Sequence, residues 1–191
     1  MKTAHLFAAA ILATAISANS QVVTGPIINP ANGHSYYLIE SNSWHGAESI
    51  AVSLGGHLVT INDAAEDAWV FSTFSTFGGY ERDLWIGLND LAQEGQYEWI
   101  SGESSSYFNW APPEPNNGGG IFPNEDVVHI WYPSSGFPLG SWVDAQDFLI
   151  YNGVAEVVPE PASFSLGVIS AAVLITKRYR RRERAYRRFS W

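Results

Sequence analysis

The chain has no cysteine and one methionine, and between residues 21 and 158 its only base is Arg82. Without cysteine there are no disulfides and no thiolate metal sites, so oxygen or imidazole must hold any metal. The same span carries seventeen acids against that one base, a formal charge of −16. A body this acidic repels a phosphate backbone, which excludes nucleic acid as a class of partner. The whole-chain charge of −9 conceals this division, because the other bases are Lys2 and a cluster from Lys177 to Arg188. Aromatic residues, by contrast, are plentiful, with 8 Trp, 9 Tyr and 10 Phe. They suit a compact domain that must build its core without covalent staples. At 191 residues there is room for one domain plus processing segments.

The two ends read as such segments. Lys2 precedes an apolar run from Leu6 to Ile16 and then the small residues of Ala18-Asn19-Ser20, the pattern of a secretory leader over residues 1–20. At the other end, Val158-Pro159-Glu160-Pro161 is followed by an apolar run over residues 162–176 and then by the arginine cluster. That run is shorter than the ~20 residues of a relaxed membrane span, and the basic block would hold the tail on the cytoplasmic side. The order Pro-Glu-Pro, short hydrophobic helix, arginine cluster resembles the bacterial PEP-CTERM sorting signal over residues 158–191. The resemblance implies recognition by an exosortase, transient anchoring in the inner membrane through residues 162–176, and delivery to the cell surface or an exopolysaccharide, biofilm-type matrix.

Between these ends, residues 21–157 read as the domain. After a loop rich in proline and asparagine, Ser35-Tyr36-Tyr37-Leu38-Ile39 has the aromatic and β-branched content of a strand. Trp44, Ala47, Ala51 and Leu54 then recur at helical spacing, with Ser43 as cap and Gly55-Gly56 as stop. His57 to Ile61 reads as a short strand, and Asp63-Ala64-Ala65-Glu66 as a capping box that opens a second helix through Ala68, Trp69 and Phe71. Beyond Leu84 the pattern turns to short strands, Trp85–Leu88, Tyr97–Ile100 and Val127–Trp131. The long segment from Asn109 to Asn124, with four prolines and Gly118-Gly119-Gly120, is irregular. Trp85, Trp99, Trp110 and Trp142 read mainly as core, with sugar stacking the alternative. His129, inside an apolar strand, reads as a core or edge histidine with its ring nitrogens satisfied.

The stretch from Glu114 to Asp144 carries Glu114-Pro115-Asn116, Glu125-Asp126 and Trp142-Val143-Asp144, with no lysine or arginine. Acids and amides concentrated in this way have the chemistry of a hard-cation site, calcium above all, which takes roughly six to eight oxygens at about 2.3–2.6 Å. In order, Trp44-x-x-Ala47-x-x-x-Ala51-x-x-x-Gly55-Gly56-x-Leu58-x-x-Ile61, Glu66, Trp85-Ile86-Gly87-Leu88, Glu114-Pro115-Asn116, Glu125-Asp126 and Trp142-x-Asp144 resemble the C-type lectin-like domain over residues 34–157.

That resemblance implies an α+β fold with two helices packed on small antiparallel sheets and a long ligand-binding loop region. It also implies a sugar-contacting Ca2+ site at Glu114, Asn116, Glu125 and Asp144. Val143 stands where the family has a second asparagine, which removes one metal oxygen and one amide donor to a sugar hydroxyl. An auxiliary calcium site falls on Asp90, Glu94, Asn117, Glu125 and Asp126, with Asn117 replacing an acid. Pro115 matches a proline that follows a cis bond in the family, and the Glu-Pro-Asn form points to mannose, glucose or fucose. The family's disulfide positions fall on Ala51, Val127, Asp147 and Ala155, so both bridges are missing.

These readings imply a secreted or surface-attached, calcium-dependent carbohydrate binder and not an enzyme: no Ser-His-Asp or thiol arrangement is visible, and acids that hold calcium are not free for acid–base work. The alternative is a lectin-like fold without sugar binding that acts as a protein-interaction or structural matrix module, with Val143 as its support.

Overall fold

The computed structural model describes residues 21–120, 124–132 and 136–159. The expected leader and the expected sorting signal from Glu160 onward lie outside the described residues. Among those described, no helix is long and apolar enough to cross a membrane.

Eight strands form one mixed sheet. They are β1 (Val22–Ile28), β2 (Ser35–Asn42), β3 (His57–Leu58), β4 (Leu84–Asn89), β5 (Glu98–Trp99), β6 (Val127–Ile130), β7 (Trp142–Ala145) and β8 (Tyr151–Val157). The main path is β1-β2-β8-β4-β6-β7, with β3 added to β8 and β5 to β4. All pairings are antiparallel except β4 with β8, which places Trp85 beside Gly153. Two helices, α1 (Trp44–Ser53) and α2 (Ala64–Phe74), complete the expected α+β architecture.

Both helices start where their caps dictate. The Ser43 side chain accepts from Gly46 N, and Asp63 accepts from Ala65 N and Glu66 N. The capping box is only half made, however. Glu66 turns away from Asp63 and accepts instead from Asn62 N at 2.9 Å and from Tyr36 Oη at 2.5 Å.

Three strands were not expected: β1, β7, which carries the Trp142-Val143-Asp144 motif, and β8. β1 occupies what reads as a loop, because Gly25-Pro26 interrupts its apolar residues; register shifts on either side of Thr24 accommodate the interruption on an edge strand. β8 joins the two halves of the sheet and contains Gly153, a poor strand residue by propensity. A Cβ there would sit 3.0 Å from Ala47 Cβ and 3.1 Å from Leu58 Cδ2, so glycine is what lets α1 and β3 approach the sheet. The expected strand over residues 57–61 is regular only at His57–Leu58.

Three of the four positions at which the resemblance puts cysteines are filled by buried apolar residues. Ala51, Val127 and Ala155 lie buried in one apolar cluster with Ile39, Trp44 and Trp85, whereas Asp147 stays near the surface beside His45. Trp44, Trp85 and Trp142 are fully buried, and their polar edges are satisfied: Trp44 Nε1 donates to Ile86 O at 2.8 Å and Trp85 Nε1 to Asn42 O at 3.0 Å. Burying roughly 150–250 Å² per tryptophan at about 25 cal/mol per Å² yields about 4–6 kcal/mol each.

Tyr36 Oη lies 2.5 Å from Glu66 Oε1 and 2.9 Å from Glu156 Oε1, with all three residues buried. His34 Nδ1 reaches the same Glu156 oxygen at 2.6 Å, and Thr60 N donates to the other at 3.2 Å. One hydroxyl hydrogen cannot serve two carboxylates. Burial raises the Glu156 carboxyl above its ordinary 4.5, and the charge of Glu66 adds to the rise, against the opposing bonds from His34, Tyr36 and Thr60 N. A raised folded value means that Glu156's contribution to stability is fully present below pH 4.5 and is lost as pH climbs through the folded value. Tyr36→Phe should therefore destabilise by about 1–3 kcal/mol in urea unfolding. The loss should be smaller at pH 4.5, where one acid can donate to the other, than at pH 7. Equal losses at both pH values would contradict this account of the cluster.

Candidate functional site

β7 is an edge strand, and its outer edge is covered by the approach to the proline-rich loop. Trp142 N donates to Asn109 O at 2.7 Å and Ala111 N to Trp142 O at 2.9 Å, so residues 109–111 run alongside β7 and deliver Pro112-Pro113-Glu114 to its end. The segment is pinned from below by Asp67 of α2. Its carboxylate accepts from Trp142 Nε1 at 3.0 Å, Tyr107 Oη at 3.0 Å and Asn109 Nδ2 at 2.7 Å. Burial raises the Asp67 carboxyl above its ordinary value, against the lowering effect of these three donors.

Above this hub, Asp144 is buried on β7 and its carboxylate organises the loop. Asn116 N donates to it at 3.1 Å, Asn117 N at 2.8 Å and Tyr97 Oη at 3.4 Å. The neighbouring turn holds Glu125, which accepts from Gly118 N at 2.6 Å and Gln146 Nε2 at 2.9 Å, while Glu125 N donates to Asn117 Oδ1 at 2.8 Å. Successive amides can face these acids because Asn117, Gly118 and Gly119 all adopt positive φ, at 48°, 63° and 62°. Glycine and asparagine are the residues that reach this region at least cost. Asn116 Nδ2 donates to Glu114 Oε2, and the Glu114-Pro115 bond is cis.

The eight expected ligand residues fall into two adjoining groups. In the first, Glu114 faces Asp144, and its carboxyl is pushed up to about 8 by burial, by hydrogen bonding to Asp144 and by the charges of Asp144 and Glu125. Glu125 is also raised, by burial first and then by Asp144. In the second, Asp90 N donates to Asp126 O at 3.0 Å. The Asp90 side chain takes Gly95 N on Oδ2 at 2.7 Å and leaves Oδ1 buried without a partner. Desolvation and the charges of Asp90 and Asp126 raise exposed Glu94, which Asn117 also contacts. Desolvation raises Asp126, with Asp90 and Asp147 adding to it.

An orphaned buried carboxylate oxygen, mutually repelling acids and an all-oxygen donor set fit a hard cation. Among the described residues no three acids or histidines already converge into a cage. The loop amides that now occupy Asp144 and Glu125 would have to share those oxygens with an ion.

Val143 pairs across the strands with His129 and is buried at 8 % exposure. His129 is buried as expected, but it is not satisfied. Its Nδ1 has no hydrogen-bond partner, with Asp83 Oδ1 3.8 Å away, and burial pushes the ring down to about 4, so it stays neutral at physiological pH. Trp85, Trp99 and Trp142 are core, whereas Trp110 is half-buried. Sequence reasoning missed Asp67, Tyr97 and Gln146, whose partners lie tens of residues away along the chain and leave no local signature.

The profile of the Lectin C-type domain matches residues 40–147. This chain belongs to the C-type lectin family. It is 32% identical over 123 residues to a perlucin-like protein of Mytilus galloprovincialis, covering 61% of this chain and 76% of that protein. It is 36% identical over 129 residues to the human C-type mannose receptor 2, covering 67% of this chain but only 8% of the much longer receptor. Among solved structures, the carbohydrate-recognition domain of the mouse scavenger receptor C-type lectin superposes with a TM-score of 0.56 at 32% identity, over 66% of this chain and 92% of that one. The region matched by the profile takes in the 109–120 loop, Glu125 and Asp144.

Asp67→Ala would strand the buried Trp142 indole and two half-buried donors, Tyr107 Oη and Asn109 Nδ2, and should cost at least about 3 kcal/mol in urea unfolding. Tyr107→Phe, which removes one of them, should cost about 1 kcal/mol. A D67A loss no larger than that of Y107F would refute the hub.

Proposed function

We propose that this lectin domain binds carbohydrate through calcium held at the β7 edge, with Glu114, Asn116, Glu125 and Asp144 as the primary ligands. The observation that carries this reading is the gathering of those four residues around the positive-φ turn, with Glu114 set against Asp144. A bound calcium would supply a centre to which two vicinal sugar hydroxyls coordinate. The protein's part is to hold carboxylate and amide groups in fixed directions, so that they accept from or donate to those same hydroxyls. By resemblance, Glu114-Pro115-Asn116 favours mannose, glucose or fucose. Asp90, Glu94, Asn117 and Asp126, with Glu125 shared, form the auxiliary calcium site, which would steady the loop from beneath. The names of the relatives, a mannose receptor and a carbohydrate-recognition domain, support the same substrate class. Binding, with no catalysis, is the expected activity.

The setting belongs to this proposal too: export by residues 1–20, the lectin domain over residues 21–157, and sorting to the bacterial surface or exopolysaccharide matrix by an exosortase acting on residues 158–191. A second reading is favoured by one observation. Val143 is buried at 8 % exposure where the family has an asparagine, and Asp144 is already served by loop amides. On that reading the domain keeps the fold and acts as a protein-interaction or structural matrix module.

The two are separable. Millimolar calcium should raise the melting temperature of the purified protein, and a chelator should reverse the gain, by about 2.7 kcal/mol at a hundredfold excess over Kd. No shift would remove the first reading and leave the second. Val143→Asn should strengthen binding of a mannose-type glycoside at some cost in stability, since it places an amide in an apolar position. Unchanged binding would mean that Val143 does not stand in the sugar-contacting position.

A further inference from the structure

An aromatic shelf leads away from the calcium edge. Tyr97, whose hydroxyl reaches Asp144, meets Trp110 edge to face with ring centroids 4.9 Å apart. Trp110 in turn lies nearly parallel to Phe108, with an interplanar angle of 11° and centroids 6.4 Å apart. Tyr97 and Trp110 pack against the core, but Phe108 is 47 % exposed. Its backbone is not free to withdraw the ring. Tyr107 and Asn109 on either side are both tied to Asp67, and Asn109 also donates to Gly140 O at 3.1 Å. An isolated exposed phenylalanine is ordinary. One clamped on both sides, parallel to a half-buried tryptophan and continuous with the residues around Asp144, is a fixed flat apolar surface beside a polar site.

The C–H faces of pyranose rings are apolar and flat, and they stack on aromatic rings while their hydroxyl edges stay in water. We propose that Phe108 and Trp110 form a second subsite, which stacks the sugar residue adjoining the one at the calcium edge, so that the domain prefers an oligosaccharide over a single sugar. This rests on the carbohydrate-binding reading above. The acidic surroundings exclude an anionic saccharide from the shelf and favour a neutral one, because Asp67 is bonded to the residues on both sides of Phe108, the charge of Asp63 reaches Tyr107, and Arg82 is the only base in residues 21–158.

The test uses the purified protein with calcium and whichever of methyl α-mannoside, methyl α-glucoside or methyl α-fucoside it binds, together with a trisaccharide of that sugar. Calorimetry should show the trisaccharide binding on the order of five- to tenfold tighter than the methyl glycoside. Phe108→Ala should abolish that gain while leaving methyl glycoside affinity and the calcium midpoint unchanged, and Phe108→Trp should retain it. A wild-type protein with no preference for the trisaccharide would overturn the shelf, as would an F108A variant that keeps the preference. Equal losses for both ligands in F108A would place Phe108 in the primary site and also overturn it. If the wild-type protein binds none of these sugars, the carbohydrate reading itself falls, an outcome distinct from a protein that binds single and linked sugars alike.

Discussion

The carboxylate of Asp67 is the contact on which the functional edge depends. It leaves α2 to meet the Trp142 indole, the Tyr107 hydroxyl and the Asn109 amide, and so ties one helix to the last strand of the sheet path and to the segment that feeds the long loop. A buried acid of this kind is costly unless its donors are complete. The same stringency makes it a good fixture: Trp142 cannot shift without uncovering a charge. Because Asp144 lies two residues beyond Trp142, the loop it gathers inherits that placement. The shelf at Phe108 inherits it too, lying between two residues held by the same acid.

From the same first turn of α2, the buried set of Tyr36, Glu66 and Glu156 joins β2, α2 and β8 by similar means. Two acid-centred hubs, built on the adjacent Glu66 and Asp67 in the first turn of α2, thus stand beside a tryptophan-rich core in a chain without disulfides. The arrangement accounts for where the scarce bases are not needed. The internal partners of these acids are hydroxyl, indole, amide and imidazole groups, so a body of charge −16 can fold with Arg82 alone.

Much of this was legible in the sequence, and what was not has a physical reason. The helices were readable because Ser43 and Asp63 are local caps and Trp44, Ala47 and Ala51 repeat at 3.6 residues. β4 and β6 were readable from aromatic and β-branched runs. β7 does not read as a strand, since its four residues stand out only as the motif that carries Asp144. β1 and β8 were hidden because Gly25-Pro26 and Gly153 break strand propensity for reasons that exist only in three dimensions, an edge irregularity and the close approach of a helix. Of the eight expected ligand residues, Glu114, Asn116, Glu125, Asp126 and Asp144 stand in the ordered motifs themselves, whereas Asp90, Glu94 and Asn117 were expected only from the family resemblance. Asp67 could not be named in advance, because its partners lie 40 to 75 residues away. Glu66 misled for the same reason: its spacing from Asp63 fits a capping box, and only the fold places Tyr36 nearer.

A calcium ion at the β7 edge would share the oxygens of Asp144 and Glu125 with the loop amides. In the amide NMR spectrum of the isotope-labelled protein during a calcium titration, the N–H signals of Asn116, Asn117 and Gly118 should move first and saturate together, followed by that of Gly95 beside Asp90. If those four signals stay in place while calcium is added, the β7 edge is not a calcium site.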